Sequence, residues 1–157
     1  MGEPELERYL HEHIPLSKAM AVEVVAADKD SVVLKAPLAP NINHRETLFG
    51  GSAVAIAILA AWSLVRLRLQ GEGIAFRLVI RRNSMTYDLP VHGAFTARAV
   101  LDPTADWPRF VTMLKQYGMA RIPAVAEIDY EGQVACRLTA EFVALSGAAP
   151  ATLAACD

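Results

Sequence analysis

The sequence predicts an α+β fold in which an antiparallel sheet wraps around one long hydrophobic helix, and three observations carry that expectation. Residues 52–65 place apolar side chains on nearly every face of a helix instead of along one stripe, and such a helix must be enclosed on all sides. Six further stretches read as strands, two of them, 94–101 and 133–145, alternating apolar and polar residues with a period of two, and short turn signals join several of them. The chain has 157 residues, 54% of them hydrophobic, which is material for one sizeable core and too little for two. Residues 1–157 therefore read as a single domain with its core at roughly residues 19–145.

The elements follow in order. Residues 4–13 bring Leu6, Tyr9, Leu10 and His13 to helical spacing, with Pro4 tolerated in the first turn and Pro15 just beyond the end. Two valine-rich runs, 20–27 and 31–36, flank Asp28-Lys29-Asp30 and predict a β-hairpin. Residues 37–51 are too rich in Pro, Asn and Gly for regular structure and form a long loop, a type of segment that usually carries function. The enclosed helix follows, and after Gly71 and Gly73 come strands at 75–87 and 94–101. Asp106 caps a surface helix in which Phe110, Val111, Leu114 and Tyr117 share a face, and Gly118 stops it. Strands at 124–130 and 133–145 surround Glu131-Gly132, and residues 146–157 form a frayed tail.

Composition excludes several functions. With 15 Lys+Arg against 17 Asp+Glu and a net charge of -2, there is no positive surplus to grip nucleic acid. Cys136 and Cys156 stand far apart with no metal-ligand spacing, so no metal site or disulfide framework is expected and the cytoplasm is the default compartment. The acidic, proline-broken N-terminus is unlike a signal peptide. The most apolar run is about 14 residues long before Arg66 and Arg68, shorter than a membrane span. Only 20% of residues are charged, which points to surface covered by self-association.

The loop-to-helix junction is the most informative place for chemistry. Gly50-Gly51-Ser52 opens a helix whose first amides lack internal acceptors and carry the positive end of the macrodipole. Glycines let a carbonyl oxygen approach those amides, and Ser52 or Thr47 offers a hydroxyl donor. The alternative is that the segment is only a helix cap.

The run Asn43-His44-Arg45-Glu46-Thr47-Leu48-Phe49-Gly50-Gly51 resembles the Asn...His-Gly-Gly loop of hot-dog-fold acyl-CoA thioesterases. Together with Asn41, Ser52, Trp62-Ser63 and Tyr87-Asp88-Leu89-Pro90-Val91, it is similar to the thioesterase family of the YiiD C-terminal domain type. The resemblance implies a hot-dog fold, a homodimer with sheets joined edge to edge or a dimer of dimers, and an acyl-CoA or acyl-carrier-protein thioester bound at the subunit interface without a separate cofactor. It further implies that the Gly51 amide polarises the thioester carbonyl and that Asn43 holds the attacking water.

The sequence departs from the pattern in two places. The helix carboxylate expected near Ile58 is missing, since no Asp or Glu occurs between Glu46 and Glu72, and Phe49 stands where a histidine is usual. Candidates to activate water are His44, Glu46 and Asp88, each of which also reads as an ordinary loop residue. Tyr87 is either a hydrogen-bond donor to the acyl group or a core aromatic, and Trp62 reads as packing. Arg77 and Arg81 share a strand face by period two and, with Arg82, are either phosphate contacts or a solvated face. Three functions stay open: thioester hydrolysis, non-catalytic binding of acyl thioesters, and dehydration of β-hydroxyacyl thioesters.

Overall fold

A computed structural model describes residues 1–147, so Cys156 and most of the tail lie outside the described residues. The chain runs α1 (Glu3–His13), α2 (Pro15–Ala19), β1 (Glu23–Ala27), β2 (Val32–Ala36), a 3-10 turn (Ala39–Asn41), α3 (Gly50–Gly71), β3 (Phe76–Tyr87), β4 (Phe95–Leu101), α4 (Trp107–Tyr117), β5 (Met119–Tyr130) and β6 (Gln133–Ser146). The six strands form one antiparallel sheet in the order β1-β2-β4-β5-β6-β3. The sheet curls around α3, which packs against β2, β3, β4, β5 and β6.

That enclosure is what the all-round apolar pattern predicts. Ile56, Ala57, Ala60, Ala61, Leu64, Val65 and Leu69 are fully buried, and the inward residues of β5 and β6, from Ile122 and Ile128 to Leu138 and Phe142, close over them. The helix is longer than expected at both ends. Its 22 residues are enough to cross a bilayer by length and composition, so burial within the fold, and not shortness, argues against a membrane span. Arg66 and Arg68 do not interrupt it. The Arg66 guanidinium lies 4.0 Å from the centre of the Tyr9 ring and that of Arg68 4.5 Å from Trp107, so both stems cover apolar surface. Trp62, an inward neighbour, donates its indole N–H to the Leu78 carbonyl at 3.1 Å, as a packed tryptophan requires.

Strand boundaries shift for identifiable reasons. β5 begins at Met119, five residues before the expected start, because Pro123 reads as a strand breaker. Pro123 lies just past the last β4 partner, where its carbonyl accepts from Asp102 N–H at 3.2 Å. The N–H and C=O of a strand residue point to the same side, so the missing proline donor would have faced a position where β4 has already ended. Residues 20–22 are not strand but the turn after α2, a helix the N-terminal reading missed because Pro15 starts it instead of ending α1. Ser146 and Gly147 are tied down, not frayed, by bonds from Ser146 N–H to Gly118 and Gly147 N–H to Ala75.

Among the described residues β3 is an edge strand paired only with β6, and it carries a bulge between Ile80 and Arg82. The bulge breaks the period-two alignment of Arg77 with Arg81. Arg81 and Arg82 both reach Glu141, at 3.1 and 3.6 Å, so this basic cluster is partly neutralised. Leu64→Ala should cost about 2–5 kcal/mol, because α3 cannot collapse into the space left inside a closed sheet. Leu67→Ala, at a half-buried position, should cost clearly less, and urea unfolding midpoints of the two variants check the order.

Candidate active site at the start of the central helix

The first turn of α3 is open. Its N-cap is Phe49, in extended backbone, with no side chain accepting from the helix amides. The Ala53 N–H makes the first helical bond, to the Phe49 carbonyl at 3.0 Å, leaving the Gly50, Gly51 and Ser52 amides at the positive end of a 22-residue helix. A Ser, Thr or Asp at the cap would normally occupy one of them.

The loop before the helix is held by its own asparagines. The Asn43 Oδ1 accepts from Arg45 N–H at 2.8 Å and Thr47 N–H at 3.1 Å, while its Nδ2 donates to Thr47 Oγ1 at 2.9 Å and to the Leu48 carbonyl at 3.4 Å. All four hydrogen-bonding positions of the amide are engaged in shaping a tight turn in which Glu46 takes a left-handed conformation. Asn41, which carried no assigned role in the sequence, is buried and donates to the Met20 and Pro37 carbonyls, and its own carbonyl accepts the Phe49 N–H at 2.8 Å. The Leu48 N–H is held by Val91 at 2.9 Å, which ties the loop to the segment after β3.

A cavity of about 310 Å³ lies beside this helix start, lined by Gly50 and Ala53 on α3, Leu48, Tyr87 to Val91, and Cys136 on β6. Of the residues singled out from sequence, Gly50, Tyr87 and Asp88 meet there. Tyr87 is not a core aromatic: it is 55% exposed, its ring packs against Gly50, and its hydroxyl donates to the Gly50 carbonyl at 3.2 Å. A Cβ on Gly50 would sit 3.3 Å from that ring, which explains the glycine.

Asn43, His44, Thr47, Phe49, Gly51 and Ser52 do not line this cavity. His44 and Glu46 are exposed on the loop, and Thr47 is the acceptor of Asn43. Phe49 is 55% exposed and its ring folds back over Gly51, where a Cβ would fall 2.3 Å from it. Thus Gly51 is needed for the ring to lie there, and the ring shields that side of the helix start. Ile42, Phe49, Tyr87 and Leu89 are all exposed large apolar residues around the same point.

Cys136 was legible only as an inward residue of β6, and its place on the cavity wall comes from the pairing Tyr87↔Cys136. Burial, and secondarily the negative charge of Asp88, push its thiol up from the ordinary value near 9. The thiol is therefore neutral at physiological pH. Among the described residues no group of three His, Cys, Asp or Glu side chains is placed to hold a metal ion.

An apolar helix enclosed by a six-stranded antiparallel sheet, with its bare amino end beside an apolar cavity, is a hot-dog fold. The chain belongs to the family described as "Putative thioesterase (yiiD_Cterm)", whose model matches residues 3–146. It is similar to a structure of a protein of unknown function from Chlorobaculum tepidum, with 30% identity and a TM-score of 0.85 over 92% of this chain and 94% of that one. A structure described as a putative thioesterase from Shewanella oneidensis shares 24% identity and a TM-score of 0.81, over 91% of this chain and 96% of that one. A thioesterase of Haemophilus influenzae has the same fold at 15% identity, with a TM-score of 0.76 over 97% and 96% of the two chains.

Two outcomes are expected. Gly51→Ala should displace the Phe49 ring without unfolding the protein, and adding Phe49→Ala should remove the conflict, as crystal structures of the single and double variants would show. Because the folded Cys136 pKa is raised, its contribution to stability is complete below the unfolded thiol pKa and is lost as pH climbs through the folded one. Chemical denaturation between pH 8 and about 11 should show a decline that is smaller in Cys136→Ala.

Proposed function

We propose that the protein hydrolyses an acyl-CoA or acyl-carrier-protein thioester at the start of α3, in a site completed by a second copy of the chain. The observation that carries this reading is the uncapped helix start beside an apolar cavity. The amides of Gly50 and Gly51 are donors already aimed along the helix axis, so a carbonyl oxygen placed there gains stabilisation as it acquires negative charge, with no reorganisation at the moment of reaction. The acyl group lies among Leu48, Ala53, Leu89, Val91 and Cys136.

In this reading Asp88, the carboxylate on the cavity wall, takes the proton of the attacking water. The water oxygen bonds to the thioester carbon, the tetrahedral intermediate collapses, and the C–S bond breaks to give a carboxylic acid and a thiolate, which takes up a proton. No metal or cofactor enters the step. Asn43 and Thr47 act as positioning residues that hold the loop bearing Phe49, and Ser52 adds a third amide to the same helix end. His44, exposed on the loop, is the residue that the loop of a second copy would contribute.

The free edge of β3 supports a homodimer, because an exposed 12-residue strand edge is a ready template for another strand. The exposed apolar ring of Ile42, Phe49, Tyr87 and Leu89 is further surface for a partner or substrate to cover. Cytoplasmic placement suits a protein whose buried Cys136 is a free thiol. A second reading, a binding module that leaves the thioester intact, is favoured by one observation: no Asp or Glu lies on α3 anywhere from Gly50 to Gly71.

Thiol release from short, medium, long and aromatic acyl-CoA thioesters tests the proposal. Turnover by the wild type should fall about 10²-fold or more in Asp88→Asn, the range for loss of a general base, and should also fall in Asn43→Ala. Saturable thioester binding with no thiol release would instead establish the binding module.

A further inference from the structure

A second cavity, of about 460 Å³, lies between α4 and the first residues of β5, and no residue lines both it and the cavity at the helix start. Its volume is in the range of ligand pockets, roughly 300–1,000 Å³. It exists because β4 stops short. β4 pairs with β5 only from Ala124 onward, so residues 119–123 have β6 on one side and, across the cavity, α4 on the other.

Two bonds fix which way the main chain faces there. The Gly118 carbonyl accepts from Ser146 N–H of β6 at 2.9 Å, and the Pro123 carbonyl accepts from Asp102 N–H on the opposite side at 3.2 Å. Successive strand residues alternate in direction, so the N–H and C=O of Arg121 face the side that β4 has vacated, where no strand meets them. The Arg121 side chain, exposed between buried Ala120 and Ile122, lies on the sheet face away from α3. This cavity is therefore no extension of the one at Gly50.

Its wall combines apolar surface with positive charge. Phe110 and Ile122 supply buried apolar surface, and Met113, 37% exposed, adds a flexible side chain that can adapt to a bound group. Arg109 and Arg121 are exposed and have no ion-pair partner among the described residues. The carboxylate on the wall, Asp106, accepts the Arg109 backbone N–H at 3.0 Å as the N-cap of α4 and pairs with neither guanidinium. Two guanidinium groups and one carboxylate leave the wall with a single net positive charge, which a monoanion balances. A carboxylate meets that condition and fits the planar guanidinium fork, whereas a phosphate monoester carries about −1.5 to −2 at neutral pH.

We propose that the α4–β5 cavity binds an apolar organic acid, with its carboxylate on Arg109, Arg121 and the Arg121 main-chain N–H and its apolar body against Phe110, Met113 and Ile122. The site is separate from the helix start and stands whether or not thioesters are hydrolysed there.

The test uses the full chain and four probes: octanoate, octanamide with the same chain and no charge, octyl phosphate, and acetate as the head group alone. Isothermal titration gives the affinities, and backbone amide chemical shifts record where each probe binds. Octanoate should shift the amides of Arg109, Phe110, Arg121 and Ile122, and octanamide and acetate should bind at least about tenfold more weakly. Arg109→Ala and Arg121→Ala should each weaken octanoate about tenfold, as for loss of a charge-assisted hydrogen bond. Both side chains are exposed, so their truncation leaves the core intact. Octanoate shifts confined to Gly50, Gly51 and Ser52, binding indifferent to both arginines, or octyl phosphate binding tighter than octanoate would overturn the proposal. Shifts of the α4–β5 amides that follow protein concentration with no probe present would also overturn it, and would give this face to a second copy of the chain.

Discussion

The structure depends on the enclosure of α3. A helix with apolar residues on every face cannot rest on a sheet and leave its other side wet, so the strands must close around it. The remaining parts follow from that requirement. Five strands touch the helix, the Tyr9 ring of α1 stacks on its Trp62, and the arginines of the last turns lie with their stems along aromatic surface. Enclosure also fixes position. A buried helix has one rotation and one depth, so its first amides emerge at a defined point on the surface.

At that point stability and reactivity oppose each other. A capping Ser, Thr or Asp typically contributes about 1 kcal/mol by satisfying a free amide, yet the cap position holds Phe49, whose side chain can accept nothing. The loop before it is hydrogen-bonded with care through Asn41 and Asn43, so the bare amides do not reflect a badly made turn. The bonds stop where the helix begins. Gly50 and Gly51 continue the same logic, the first admitting the Tyr87 ring and the second the Phe49 ring, so that aromatic surface borders the amides without capping them.

The opposing sheet edges differ in consequence. β1 is short at five residues, whereas β3 is a 12-residue edge whose far end delivers Tyr87 and Asp88 to the helix start. A strand that both borders the cavity and presents an unpaired edge links self-association to the site, because anything added to that edge is brought next to the cavity. The bulge at Arg81 turns two arginines onto Glu141 and leaves Asn83, Ser84 and Thr86 as the exposed, uncharged stretch of this edge.

The sequence by itself determined the element order apart from α2, the enclosed helix, the strands and the helix start at Gly50-Gly51, because each is written in local spacing: a helix without a polar face, a period of two, a glycine pair before an apolar run. It missed the early part of β5, since Pro123 is a breaker unless its missing donor faces a position that β4 has vacated, and that is a fact of pairing. The make-up of the cavity was decided only by tertiary structure. Cys136 reaches it through its register with Tyr87, Val91 through a bond to Leu48, and Asp88 through the end of an edge strand, none of which is close to the glycines in sequence. Likewise the engagement of the Asn43 amide by Arg45, Thr47 and Leu48 is a fact of the folded loop that its sequence does not display. Local chemistry specifies which groups can form a helix, a strand or a turn, but which of them face one another is set by how the sheet closes.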